Sequence, residues 1–159
     1  RTARLGLRPV TAEDETAVVV GVGDLSVARW LAVVPHPYTA ADFRYFLEEI
    51  AVPGETFVIQ DASGVAGIIS IVDGELGYWI APRAQGLGYA TEAGRCLVNA
   101  HFAGSVAPLT SGYFEGNTRS ANVLGKLGFV ETGRDIKRCR ARGADLPHVT
   151  VGLQRTKFV

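Results

Sequence analysis

The sequence predicts an α+β fold built on a mainly antiparallel sheet with one strand–helix–strand crossover. Three observations carry this. Glu55–Gln60, Gly67–Val72 and Glu75–Ala81 are short β segments joined by Asp61-Ala62-Ser63-Gly64 and Asp73-Gly74, both of hairpin turn chemistry. A Gly-rich transition, Gly86-Leu87-Gly88, then opens a long helical stretch that leads into another strand. Helical patterns also cluster ahead of the central strands.

Taken in order, Arg4–Arg8 alternates polar and apolar residues as a half-buried strand does, and Pro9 stops it. Thr11 is placed to cap a helix whose first turn holds Glu13 and Asp14. Ser26–Val34 reads as a second helix, with Val27, Trp30, Leu31 and Val34 at helical spacing, ended by His36-Pro37-Tyr38. Thr39 caps a third that runs to Ile50, its apolar stripe Phe43, Phe46, Leu47 and Ile50. Beyond the three central strands, a helix is expected over 88–103 with Ala93, Cys96, Leu97 and Ala100 inward. A strand over Leu109–Phe114, a helix over Ser120–Leu127 with Gly128 just past its end, and strands over Phe129–Arg138 and Val149–Gln154 complete the chain.

The 159 residues form one expected domain, 1–159, long enough to bury about 70% of the unfolded surface without a metal or disulfide. Sixteen basic and sixteen acidic side chains cancel, which argues against a nucleic-acid or anionic-membrane binder. The longest apolar runs fall far short of the ~20 residues a bilayer requires. Cys96 and Cys139 lack metal-type spacing and are expected to be reduced structural thiols, which fits a cytoplasmic location. No His-Glu-x-x-His pattern occurs, and no metal is expected.

Chemistry concentrates between Gly77 and Ala93. No Ser, Thr, Asp or Asn stands at the cap of the helix after Gly88, so its first N–H groups lack a local acceptor. Two glycines allow close backbone approach, and exposed amides with the helix dipole favour an anion such as a phosphate or pyrophosphate. Tight strand-to-helix packing alone would also select these glycines. Two rival phosphate motifs fail. A dinucleotide fingerprint needs Gly or Ala where Thr91 stands, and a P-loop needs Ser or Thr where Leu127 follows Gly125-Lys126.

Arg83-x-x-Gly86-x-Gly88 resembles the acetyl-CoA loop of the GCN5-related N-acetyltransferases (GNAT). Gly77-Tyr78-Trp79-Ile80 before it and Gly88-Tyr89-Ala90-Thr91-Glu92-Ala93 after it are similar to the RimJ/RimL subgroup. Asn117-Thr118-Arg119-Ser120 with Val123–Phe129, and Leu7-Arg8-Pro9 with Val34–Thr39, extend the resemblance over nearly the whole chain. It implies helices on both faces of the sheet and a splayed central strand pair. It also implies acetyl transfer from acetyl-CoA to a primary amine, on a peptide N-terminus or a small molecule, by direct attack. Homodimers are frequent among such proteins.

The resemblance further implies that the backbone of Tyr78, Trp79 and Ile80 binds the pantetheine arm, with an amide near Ile80 holding the oxyanion. The amides of Ala84, Gln85, Gly86, Leu87, Gly88 and Tyr89 would take the pyrophosphate, and Asn117 the arm. Many relatives carry a Tyr seven residues after this Asn as proton donor; Leu124 stands there, leaving Ser120 as the substitute. Gly112 stands where relatives often place the basic Glu, so Glu115 and Glu75 are the remaining base candidates. His36 and Tyr38 are expected on the acceptor side. Glu92 is accounted for by the helix dipole. The two missing groups also support an alternative, a non-catalytic acyl-CoA-binding or regulatory module.

Overall fold

A computed structural model describes residues 1–158; the expected domain also includes Val159, which lies outside the described residues. Seven strands form one sheet in the order β1-β2-β3-β4-β5-β7-β6. They are β1 (Gly6–Pro9), β2 (Thr56–Asp61), β3 (Gly64–Val72), β4 (Glu75–Ile80), β5 (Leu109–Phe114), β6 (Val130–Cys139) and β7 (Ala144–Leu153). Every neighbouring pair is antiparallel except β4 and β5, which are parallel. The helices are α1 (Glu15–Gly23), α2 (Leu25–Ala28), α3 (Ala40–Tyr45, continued by a π turn over Phe46–Ile50), α4 (Tyr89–Gly104) and α5 (Thr118–Lys126).

Strand alternation divides the core between the two sheet faces. Ile59, Ile69 and Leu76 pack with Leu97 and Val98 of α4 and Leu124 of α5. On the other face Ile68 and Trp79 meet Val18, Val22 and Phe43 from α1 and α3. The Asp73-Gly74 turn has both residues at positive φ, 51° and 76°, which two-residue hairpins demand.

Four expectations are corrected. The helix placed over Ser26–Val34 stops at Ala28. The Trp30 and Leu31 N–H groups still bond back to the Val27 and Ala28 carbonyls (3.1 and 3.0 Å), but the carbonyls beyond bond elsewhere: the Arg140 N–H donates to the Ala32 carbonyl (2.9 Å), and the buried Cys139 thiol lies 3.4 and 3.5 Å from the Arg29 and Leu31 carbonyls. Tertiary partners replace the intrahelical ones, so helical spacing of Trp30 and Leu31 did not require a helix. Second, the inward stripe of α4 is Ala90, Ala93, Gly94, Leu97, Val98 and Phe102, while Ala100 is exposed and Cys96 only half-buried. The stripe turns because Gly94 meets α5's end; a Cβ there would lie 2.7 Å from Leu127 Cδ1.

Third, β7 begins at Ala144, five residues before Val149. Pro147 pairs opposite Ile136 and on its other side accepts from the Glu115 N–H (2.9 Å) but has no N–H to return, which is where the β5–β7 ladder ends. Fourth, β3 starts at Gly64 because a bulge between Ile59 and Gln60 carries the pairing through to the turn.

Asp14 ties β1 to the first helical turn. Its burial works against ionisation, but the Arg8 guanidinium (2.6 and 3.0 Å) and the Thr11 N–H (2.9 Å) outweigh that and hold the carboxyl below its usual range. A lowered folded-state pKa stabilises above the unfolded value of about 4, and the contribution fades as pH falls through the folded value. Asp14→Asn is expected to cost about 1–2 kcal/mol at pH 7, discounted for the part-exposed Arg8. Urea midpoints of variant and wild type should converge as pH is lowered below 4.

Candidate active site

The parallel pair β4–β5 opens almost as soon as it forms. Its register holds at Glu75↔Thr110, where the Thr110 N–H donates to the Gly74 carbonyl (2.9 Å). The Ser111 hydroxyl then donates to the Leu76 carbonyl (2.7 Å) and marks the apex of a wedge. The Ala81 N–H donates to the Ala66 carbonyl of β3 (2.8 Å). Backbone direction alternates along a strand, so Tyr78 and Ile80 turn their N–H groups to the side β5 has left. The Ile80 carbonyl accepts from Gln85 Nε2 (3.1 Å), and Gln85 Oε1 in turn accepts from Arg119.

Two cavities meet in this wedge. The larger, about 590 Å³, runs from Tyr78 and Ile80 past the 84–91 loop to α5, where Arg119 and Lys126 supply positive charge. The smaller, about 470 Å³, lies between the α1–α3 side and β5. Tyr78, Trp79, Asn117 and Ser120 line both.

The loop in the first cavity turns on two glycines. Gly86 and Gly88 have φ of +76° and +79°, a region that L side chains rarely adopt. Gly88 caps α4 with no side-chain acceptor, and a Cβ at Gly86 would meet nothing within 4 Å. Ala84 is buried beneath the loop, and Leu87 is exposed with its carbonyl bonded to Arg4. Arg83 forks onto Asp61 (2.9 and 3.1 Å) and the Val65 carbonyl (2.8 Å), anchoring the loop to the β2–β3 turn. Glu92 is more than a dipole complement, since it bonds Thr2 and both the backbone and guanidinium of Arg4. The Ala84 and Gln85 N–H groups are already bonded, to the Ala81 and Pro82 carbonyls (2.9 and 3.3 Å), so the fit to a pyrophosphate and its adjoining arm rests on the amides after them, with the open space and the cations.

At the junction, Ser120 Oγ accepts from the Tyr78 hydroxyl (3.2 Å) and from Asn117 Nδ2 (3.2 Å). Asn117 also caps α5, its Oδ1 accepting from the Ser120 N–H (3.3 Å), so one side chain starts the helix and orients the hydroxyl. Burial pushes the Tyr78 phenol up to about 12, against the opposing pull of its bond to Ser120, and keeps it protonated. Leu124 is fully buried in the core and faces no cavity.

The remaining candidates divide. Tyr38 lines the second cavity, its phenol raised to about 12 by burial and by Asp42. Glu75 reaches the same cavity as an exposed residue at the apex. His36 is exposed and lines neither cavity. Glu115 points out to solvent and pairs with Arg134 (3.9 Å), so the structure does not bring it to the wedge. Among the aromatic side chains on this side, Phe43 is wholly buried, whereas Trp30, Tyr45 and Phe46 line the second cavity. Sequence reading missed His148, which lies in this cavity bonded to Asp135. The signal was the register Asp135↔His148, hidden while β7 was expected to begin one residue later.

Among the described residues no group of three or more His, Cys, Asp or Glu is placed to hold a metal ion. No helix there is long and apolar enough to cross a membrane.

Comparison with known proteins places this architecture among the acetyltransferases. Residues 4–130 match the family model described as "Acetyltransferase (GNAT) domain", and the chain belongs to that family. No curated protein matches it. Among solved structures, the acetyltransferase (GNAT family) from Bacillus anthracis superposes with a TM-score of 0.84 at 20% identity, over 97% of this chain and 96% of that one. Spermidine N-acetyltransferase from Vibrio cholerae in complex with CoA and spermine gives 0.80 at 18%, covering 98% of each. Mycobacterium smegmatis RimJ in complex with CoA-disulfide gives 0.75 at 23%, over 96% of this chain and 82% of that one. At these identities the similarity is one of fold.

Proposed function

We propose that this protein is an acetyl-CoA-dependent N-acetyltransferase that acetylates a primary amine, on a peptide N-terminus or a small molecule. The observation that carries the reading is the meeting of two cavities at Tyr78, Asn117 and Ser120, one of them ending on the uncapped start of α4. Acetyl-CoA enters by the first cavity, its pyrophosphate on the amides of residues 86–89 and its arm along β4 with Asn117. The amine enters by the second, bordered by Tyr38.

The amine nitrogen, freed of its proton, attacks the thioester carbonyl. A C–N bond forms, and the oxyanion is held by the outward N–H of Ile80. Collapse breaks the C–S bond, and the thiolate takes a proton from Ser120, which regains one from Tyr78; the second proton shed by the attacking nitrogen returns to the phenol and restores the pair. The net reaction converts an ammonium and acetyl-CoA into an N-acetyl amide, CoA and a released proton. Free Cys96 and Cys139 agree with a cytoplasmic enzyme, where acetyl-CoA is available and thiols stay reduced.

Thermal unfolding with acetyl-CoA, with ATP and NAD as controls, tests the binding half. Ligand at about 100 times its Kd adds about 2.7 kcal/mol, and the midpoint is expected to rise by roughly 5–11 °C. Release of CoA thiol with N-terminal peptides, polyamines or amino sugars tests the chemistry. Binding without turnover would favour a non-catalytic acyl-CoA-binding module, and no shift at millimolar acetyl-CoA would end both readings.

A further inference from the structure

We propose that His148, oriented by Asp135, is the group that takes the proton from the acceptor amine. This rests on the N-acetyltransferase reading above.

Two ladders fix the residue. His148 pairs with Phe114 on β5 and with Asp135 on β6, at the last pair of the β5–β7 ladder. Its side chain is only 9% exposed yet lines the amine cavity, with the ring edge-on to Phe114 at 5.4 Å. Nδ1 lies 2.8 Å from Asp135 Oδ1. An ionised carboxylate only accepts, so the Nδ1 carries the hydrogen and the neutral ring keeps its lone pair on Nε2.

The sheet makes room for the ring. A Cβ on Gly112 would lie 2.4 Å from Cε1 and 2.7 Å from Nε2 of His148. A residue without a side chain on β5 is therefore what lets the imidazole reach from β7 across to the wedge. The Nε2 edge rests on the same stretch of β5, residues 111–114, that lines the amine cavity.

The competing groups are less suited. Asp42 is engaged by the Thr39 N–H and hydroxyl (2.7 and 2.8 Å), and Glu75 sits exposed at the apex. Lys137 and Arg140, which also line the cavity, are hydrogen-bond donors without an acceptor, and the Tyr38 phenol, raised to about 12 by burial, keeps its proton. Imidazole is the side chain of this set that offers a ring nitrogen as proton acceptor while the other donates. In the step, the ammonium N–H bond breaks, its proton passes to Nε2 directly or through one water, and the freed pair on nitrogen forms the C–N bond. The imidazolium is stabilised by Asp135 and returns its proton to solvent.

The test compares wild type with His148→Gln and Asp135→Asn, measuring acetyl-CoA affinity and the pH dependence of kcat/KM. His148→Gln is expected to bind acetyl-CoA within about twofold of wild type and to lose about 100-fold or more in kcat/KM at pH 7. That deficit should shrink as pH rises toward the acceptor's own pKa, because the amine then arrives deprotonated; a merely structural defect would not recover. Asp135→Asn, at a side chain 52% exposed and so tolerant of change, should show a smaller loss with the same recovery. If His148→Gln does not fold, this variant decides. Full activity at pH 7 in whichever variant decides, or a loss equal at every pH, overturns the assignment while leaving the acetyltransferase reading intact. A wild type that releases no CoA with any amine overturns both.

Discussion

Gly86→Asp is expected to weaken acetyl-CoA binding about a thousandfold. The backbone at Gly86 sits at φ +76°, and the space beside it is open, so an added side chain projects freely into the first cavity. A carboxylate there faces the pyrophosphate at roughly 4 Å. At an effective dielectric of about 20, one such repulsion costs about 4 kcal/mol, which is about a factor of a thousand in Kd. Gly86→Asn is the control. Asn and Asp share size and tolerance of left-handed backbone, so strain affects both alike. Asn should bind within about tenfold of wild type by titration calorimetry. Equal affinities for the two variants would mean that no anion lies against this loop.

The conformation of this loop was legible in the sequence because its demand is local. Gly86 and Gly88 stand where positive φ is needed, and the absence of a capping side chain shows in the residues themselves. The Asp73-Gly74 turn was legible for the same reason. The segment after Ala28 was not. Trp30 and Leu31 have helical spacing, but the carbonyls of Arg29, Leu31 and Ala32 meet Cys139 and Arg140, more than a hundred residues on, and no local pattern reports that. Leu124 and Gly112 mark the same boundary. Each shows in the sequence as an expected functional group that is missing. The structure shows Leu124 as a core residue and Gly112 as the clearance for His148, which reaches it through the register of two strands. Asp135 and His148 are thirteen apart in the chain and become neighbours only once the β6–β7 hairpin pairs.

Ser120→Ala is expected to lower kcat by about a hundred- to a thousandfold while acetyl-CoA affinity stays within about twofold. A hydroxyl has two acceptor sites and one hydrogen. Tyr78 and Asn117 both donate to Ser120 Oγ at 3.2 Å, so its own O–H is the donor left to face the wedge. Tyr78, held protonated by burial, acts only through that hydroxyl. Tyr78→Phe removes the onward supply but leaves the serine proton, and should cost about tenfold. The double variant then discriminates: with Ser120 absent, Tyr78 has nothing to feed, so Ser120→Ala/Tyr78→Phe should be no slower than Ser120→Ala alone. Additive losses would assign the two hydroxyls separate tasks and break the relay. Asn117 is the wrong position for this cycle, because its side chain also caps α5, and removing it costs about 1 kcal/mol of helix stability along with the orientation of the serine.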